Sequence, residues 1–438
     1  MSGRSAPGEA TSRSGTSAAS RSGRSTHGPL AACVALFVLA VTLRVVWFGV
    51  PERSPDEQLY SKYGRGIATE GLAWFPRTVA MYDDTLEFSY PWVHRVAFLS
   101  LVALSQIVTG RHDPVAGELL SCTASIAMVA LAGVLAWNLL SPWCAVLAML
   151  FLAVSPLDLA LARRAWQDDV VAFATLLIAA LLLKALSRPR ERRWRIAFFV
   201  VSGVTLLIKE SALIPFGLGV LALASDAWSR PRDLRRVVLP LAGGALVTGV
   251  VVGAVVALCG GLAPARALLA MTPAAWAPDD YLREYQTGGV GYYVTGLRIL
   301  QPVPWLLGCV AALLALAGAP LLRGPWRTAS GGRALRVLGA YVLIFLAVSC
   351  AYSSKNMRFL SPIYAPVAML AASLVVSTLV WLRARVPSAA WRGGVALASG
   401  LLLFAAWSDA RRFDHYFNQL QIQDLATPWF TKADARKL

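Results

Sequence analysis

The sequence is short of charge, and most of the charge it has is of one sign. Only 15% of its 438 residues are Asp, Glu, Lys or Arg, against about 25% in soluble domains, which excludes a water-soluble globule. Histidine and cysteine are scarce, at four and six residues, and there is no CxxC pair. Neither a zinc site nor a disulfide framework is expected. Cys33, Cys122, Cys144, Cys259, Cys309 and Cys350 all fall in or beside apolar runs and read as buried thiols. Acids number 24 against 41 basic residues, a net charge of +17. In a soluble chain that excess would suggest nucleic acid as a partner. Here it lies in short loops and the N-terminal tail, where it orients a membrane protein, and no nucleic acid is expected.

What the sequence has in abundance is apolar runs. They recur about a dozen times, each long enough to cross or nearly cross a hydrocarbon core ~30 Å thick. The predicted fold class is therefore an all-α polytopic membrane protein. Residues 1–28, rich in Ser, Gly, Arg and Thr, predict a disordered basic cytoplasmic tail. The run 30–50 is too long for a signal-peptide core and lacks a small-residue cleavage site, so it is expected to stay as the first span. Later runs cover 93–109, 118–138, 143–161, 169–186, 196–208, 211–226, 237–258, 301–322, 337–352, 361–382 and 393–408. The basic stretches 184–195 (KALSRPRERRWR), 228–236 (WSRPRDLRR), 323–336 and 383–392 are expected on the cytoplasmic side. The outward stations are then 51–92, 163–168, 209–210, 260–300, 353–360 and the tail from 409. One conflict remains: five runs separate the tail from the loop at 184–195, where the number must be even, so one run between 93 and 161 is expected not to cross completely. The division that follows is a tail 1–28, a membrane domain 29–410 with external loops 51–92 and 260–300, and an external C-terminal tail 411–438.

Four polar clusters interrupt the apolar pattern on the outward side. The first, PDEQLY, places Asp56 and Glu57 just beyond the first span, either as site acids or as the N-cap of a short helix over 57–70. Farther along, Asp83-Asp84 is followed by Tyr90-Pro91-Trp92, whose Tyr and Trp read as interfacial anchors, and by His94 and Arg95, with His94 an interfacial hydrogen-bonder or a catalyst. The second cluster, RRAWQDD, carries Arg163, Arg164, Asp168 and Asp169. Arg164 and Asp168 can neutralise each other at i,i+4 on a helix, but charges beside spans also mark functional cavities. The third is Lys209-Glu210 inside a long apolar stretch, 196–225. One helix there would be about 45 Å long, so the stretch is expected to break at Lys209 and to aim the lysine into a recessed cavity. Alternatively, a tilted helix lets Lys209 snorkel. The fourth, SSKNMRFLSP, carries Lys355 and Arg358 on an outward turn, against the orientation bias. The two cations can clamp one phosphate or pair with the external acids. The loop 260–300, with Asp279, Asp280, Tyr292 and Tyr293, reads as a substrate lid or as disorder. Its GGVG run follows no strand, and a nucleotide-binding loop is rejected.

Acids at 56, 57, 168 and 169 and cations at 163, 164, 209, 355 and 358 thus share one membrane face. That pattern suits a phosphate-bearing lipid held by Lys and Arg, and an acceptor activated by a carboxylate. In its order PDEQLY, RRAWQDD, LLIKESALI, SSKNMRFLSP, the chain resembles the GT-C superfamily of integral-membrane glycosyltransferases, in its ArnT-like and protein O-mannosyltransferase-like branch, over about residues 30–410.

The resemblance implies a bundle of about eleven spans with its active site in the outward loops. It implies a polyprenyl-phosphate-linked sugar as donor and a glycan, lipid or protein as acceptor. Asp56 would be the base or acceptor-orienting acid, with Glu57 assisting, and Asp168 or Asp169 the second external acid. Lys209, Lys355 and Arg358 would contact the donor phosphate, with Arg163 or Arg164 alongside. A divalent cation such as Mg or Mn stays open, and no nucleotide cofactor is expected. Where the family's last motif runs closer to Lys-x-x-Arg-Tyr, this chain has Phe359. A transporter or flippase of lipid-linked sugars, favoured by the broken helix and intramembrane charge, is the alternative from another class; a lipid-diphosphate oligosaccharide polymerase or ligase is a third. Arginine dominance with abundant Ala, Gly and Val suggests a GC-rich bacterial genome and hence a bacterial cytoplasmic membrane, and the basic tail and loops predict a cytoplasmic N-terminus and an external C-terminus.

Overall fold

The computed structural model describes residues 27–50, 53–84, 95–229, 234–267, 280–323 and 329–435. His94 and Asp279 lie outside the described residues. Apart from turns, the described chain is helical. Its helices are α1 (His27–Val46), α2 (Pro55–Glu70), α3 (Trp74–Asp84), α4 (Val96–Thr109), α5 (Val115–Leu139), α6 (Pro142–Ala153), α7 (Pro156–Ala162), α8 (Asp168–Ser187), α9 (Arg192–Leu206), α10 (Leu213–Trp228), α11 (Leu234–Leu258), α12 (Asp280–Tyr285), α13 (Gly291–Leu300), α14 (Pro302–Leu316), α15 (Ala329–Ala351), α16 (Tyr364–Arg383), α17 (Ser388–Phe413) and α18 (Thr427–Ala435).

Among the described residues eight helices are long and apolar enough to cross a membrane, or nine with the bent pair α6–α7 as one span. The shorter apolar helices α4 and α14 have 14 and 15 residues, which together accommodates the expected bundle of about eleven. The bundle has a dry centre and an apolar rim. Helices α8 and α16 are buried over most of their length, whereas α11 and α17 turn most of their apolar surface outward, as lipid-facing spans do. Close helix approach at the centre depends on small residues. A Cβ on Gly308 of α14 would come within 2.6 Å of the Val367 side chain on α16, so this pair tolerates no larger residue there.

Two breaks in the spans set up the polar end of the bundle. The run 143–161 divides into α6 and α7, which meet at 61°. The cause is local: Ser155 caps α7, accepting from the Asp158 amide at 3.4 Å, and Pro156 opens it. A residue before proline is pushed out of the helical region. Arg44 of α1 fills the break. Its guanidinium donates to the Leu152 carbonyl at 3.2 Å and the Ala153 carbonyl at 3.4 Å, at the end of α6, and pairs with Asp158 in the first turn of α7. The second break separates α9 from α10 at 207–209, where Lys209 adopts an extended conformation (φ −160°, ψ 137°) before a short 3-10 turn, Glu210–Ala212. The stretch 196–225 is therefore not a single tilted helix.

Candidate active site

The site assembles where α2, the α7–α8 turn, the α9–α10 break and the turn after α15 meet. Helix α2 begins two residues earlier than the sequence reading placed it. Ser54, not Asp56, is the N-cap, and Glu57 reaches back to accept from the Ser54 amide at 2.7 Å. Its other oxygen accepts from the Ala165 amide at 2.9 Å, and the Arg164 guanidinium donates to Glu57 at 3.0 Å. Glu57, with no exposed surface, thereby anchors α2 to the α7–α8 turn. Asp56 is left facing the junction, and Arg358 approaches it at 3.5 Å with both side chains partly exposed, 12% and 18%.

Arg358 also stacks its guanidinium over the Trp166 ring, 4.7 Å from the centroid, and lies 5.7 Å from that of Phe359. On the same Phe359 ring, at 5.2 Å, sits the Lys209 ammonium, which donates to Asp168 at 2.6 Å. Phe359 thus supplies an aromatic floor for two cations without a hydroxyl. The Ser361 hydroxyl donates to the Asp168 carbonyl at 3.0 Å and ties the turn to the start of α8. Arg164 and Asp168 do not pair with each other, because the α7–α8 turn is not helical and each finds a partner on another element.

The other sequence-chosen residues lie elsewhere. Lys355 is 1% exposed, and its ammonium donates to the Cys350 carbonyl at 3.0 Å, the Ser349 carbonyl at 3.4 Å and the Tyr352 carbonyl. It caps the end of α15, an ordinary place for a cation at a helix C-terminus, and does not join Arg358 in a clamp. Arg163 donates to the Gly49 carbonyl and the Asn418 side chain, each at 2.6 Å, linking the ends of α1 and α17. Asp169, 1% exposed, turns into the bundle beside Asp158. Asp280 opens α12. Tyr292 and Tyr293 are buried in α13, where the Tyr292 hydroxyl donates to the Tyr285 carbonyl at 3.0 Å.

Two residues at the junction escaped the sequence reading as site residues. Arg95 donates to the Tyr60 hydroxyl at 2.8 Å and to Glu210 at 3.2 Å. Asp424, in the C-terminal segment, accepts from Asn356 at 2.8 Å and from Gln286 at 3.2 Å. Both act on Asp56. Burial raises the Asp56 carboxyl above its ordinary pKa, Arg358 and Arg95 pull it back down, and Asp424 pushes it up. Arg95 was legible only as a basic residue next to a span. Asp424 lay beyond the last apolar run and gave no signal.

Among the described residues no three His, Cys, Asp or Glu side chains form a metal-ligating group. The junction carboxylates are directed instead at Arg358, Arg164 and Lys209, so these residues do not fit a divalent cation.

No protein-family model matches the chain, and no curated protein matches it by sequence. Its three-dimensional structure does have counterparts. ArnT from Cupriavidus metallidurans in the apo state superimposes with a TM-score of 0.53 at 18% identity, over 84% of this chain and 63% of that one. Archaeal oligosaccharyltransferase AglB from Archaeoglobus fulgidus, in complex with an inhibitory peptide and a dolichol-phosphate, gives 0.57 at 14% identity, over 89% and 56%. Both are GT-C proteins. The chain has the GT-C fold. Arabinosyltransferase EmbB from Mycobacterium smegmatis shares it, with a TM-score of 0.51 at 14% identity over 78% of this chain and 30% of that one. The chain therefore spans a little under two thirds of the length of ArnT and less of the others. In this GT-C fold the junction of Asp56, Arg358, Lys209 and Asp168 lies where four helix ends converge.

Proposed function

We propose that the protein is a membrane glycosyltransferase that moves a hexosyl or pentosyl group from a polyprenyl-phosphate donor to a glycan, lipid or protein acceptor at the outer face of a bacterial cytoplasmic membrane. The observation that carries this reading is the partly exposed Asp56–Arg358 pair, at 3.5 Å, beside the Lys209–Asp168 pair. A base and two cations stand together at one end of a GT-C bundle. The solved ArnT with undecaprenyl phosphate bound and the AglB with dolichol-phosphate bound support the choice of donor class.

In the proposed reaction Arg358 leaves Asp56 for the donor phosphate, which frees the carboxylate as it recruits the leaving group. The acceptor hydroxyl gives its proton to Asp56 while its oxygen attacks the anomeric carbon from the side opposite the phosphate. The anomeric C–O bond breaks, its electrons go to the phosphate oxygen, and polyprenyl phosphate departs. Arg358 and Lys209 stabilise the charge that grows there. The configuration at the anomeric carbon inverts.

The test is thermal stabilisation of the purified protein in detergent by a panel of polyprenyl-monophosphate sugars, followed by transfer to candidate acceptors. Stabilisation of the wild type that is lost in Arg358→Ala is the expected result. No response to any monophosphate donor overturns the reading in favour of a diphosphate donor. Translocation of a labelled lipid-linked sugar across vesicles without transfer would make the protein a transporter.

A further inference from the structure

The turn that aims Arg358 is held partly from outside. Two of its backbone N–H groups donate to other segments, and a third donates to the Asn356 side chain, which is itself held from outside. The Lys355 amide donates to the Gln286 carbonyl at 2.6 Å, and the Met357 amide to the Leu425 carbonyl at 2.9 Å. The Arg358 amide donates to the Asn356 side-chain oxygen at 3.1 Å, while the nitrogen of that same side chain donates to Asp424 at 2.8 Å. The other Asp424 oxygen accepts from Gln286 at 3.2 Å. Asn356 has no exposed surface and Gln286 is 8% exposed, so two buried amides aim at one carboxylate. Unsatisfied, each would cost far more than a hydrogen bond on the surface.

The segment carrying Asp424 is itself fixed. Gln421 takes a left-handed conformation (φ 51°) that turns the chain back after α17. The Gln423 carbonyl accepts from Arg164 at 3.0 Å. Farther on, the Thr427 amide donates to the Tyr292 hydroxyl at 3.0 Å, Lys432 donates to Glu284 at 2.5 Å, and the Trp429 and Tyr285 rings stack at 4.8 Å. The C-terminal segment and the 280–293 segment thus close on the turn from two sides.

We infer that the C-terminal segment completes the active site, with Asp424 as a positioning residue that orients Arg358 toward Asp56 and the donor phosphate through the Asn356 amide. The inference rests on the proposed donor reading for its functional consequence, but not for its geometry. It makes the segment after the last span a part of the site.

The experiment uses the full chain in detergent with undecaprenyl phosphate as the probe. Asp424→Ala should weaken probe affinity about tenfold, the size expected when a hydrogen bond to a charged group is removed. Asp424→Asn, which keeps an acceptor for Asn356, should recover most of that loss. Because Asp424 acts through Arg358, the double variant Asp424→Ala/Arg358→Ala should bind no more weakly than Arg358→Ala alone. Additive losses, or wild-type affinity in Asp424→Ala, would overturn the inference. If the wild type does not bind the probe, the donor reading fails by itself, and amide hydrogen exchange then decides the geometry. Faster exchange over 355–359 in Asp424→Ala, with the spans unchanged, supports it. Unchanged exchange there refutes it.

Discussion

The Arg44–Asp158 cluster and the Asp56–Arg358 pair use the same two kinds of side chain in opposite ways. Neither side chain of the first pair has any exposed surface. Arg44 also donates to the Ser125 hydroxyl at 2.6 Å and to the Ala40 carbonyl at 3.0 Å, while Ser125 donates to Asp158 at 2.8 Å. Every branch of that guanidinium has an acceptor, and the cluster holds the α6–α7 break shut. Arg358 meets Asp56 at 3.5 Å with both side chains partly exposed, and its guanidinium also lies over the Trp166 and Phe359 rings. A fully buried ion pair is a structural bolt, whereas a long, partly exposed pair can exchange its partner for a ligand.

The largest effect that would break this comparison is on folding. Arg44→Leu strands Asp158 without its counter-charge and should cost about 3 to 5 kcal/mol, measured as a collapse of folded yield and thermal stability in detergent. Replacing Asp158 by Leu as well should restore much of it. An unimpaired single variant would show that the cluster bears no load. Asp56→Asn should do the reverse. Transfer from the polyprenyl-phosphate donor should fall about 100-fold or more, with a smaller loss of stability than in Arg44→Leu, because this pair is partly exposed.

Arg358→Gln sharpens the contrast further and should weaken undecaprenyl phosphate binding about tenfold or more. It also carries a pH signature. Asp56 must be ionised to accept a proton, so the rate falls as pH drops through its pKa. Burial already raises that pKa and Arg358 opposes the rise. Removing Arg358 should therefore move the acid limb of the rate profile to higher pH, and a limb that stays put or moves down would exclude Asp56 as the base. The smallest effect is expected at Lys355. Lys355→Met uncaps α15 and should lower stability by about 1 to 3 kcal/mol, with phosphate affinity within about twofold of wild type. A loss matching that of Arg358→Gln would return Lys355 to the phosphate site.

Much of this molecule is legible in one dimension because a bilayer admits few solutions. Apolar runs become spans, and polar clusters between them collect at the ends. The break at Lys209 followed from length alone, since the stretch 196–225 is too long for one crossing. The break between α6 and α7 at Ser155-Pro156 was not placed, because any run between 93 and 161 could have been the interrupted one. The partners were not legible. Asp56 and Arg358 are 302 residues apart, and Asn356 and Asp424 are 68. Nothing at Lys355 told whether its ammonium would face a ligand or the carbonyls of its own helix.

The sequence by itself determined the solvent, the helical class, the break at Lys209 and the four polar clusters between apolar runs, because these follow from local hydropathy and length. Only the tertiary structure decided which acid meets which cation, that Glu57 anchors while Asp56 stays available, and that Asp424 reaches the site from the far end of the chain. The reason is physical: burial makes each ion pair depend on every neighbour that fills its remaining hydrogen bonds, and those neighbours come from helices that only packing brings together.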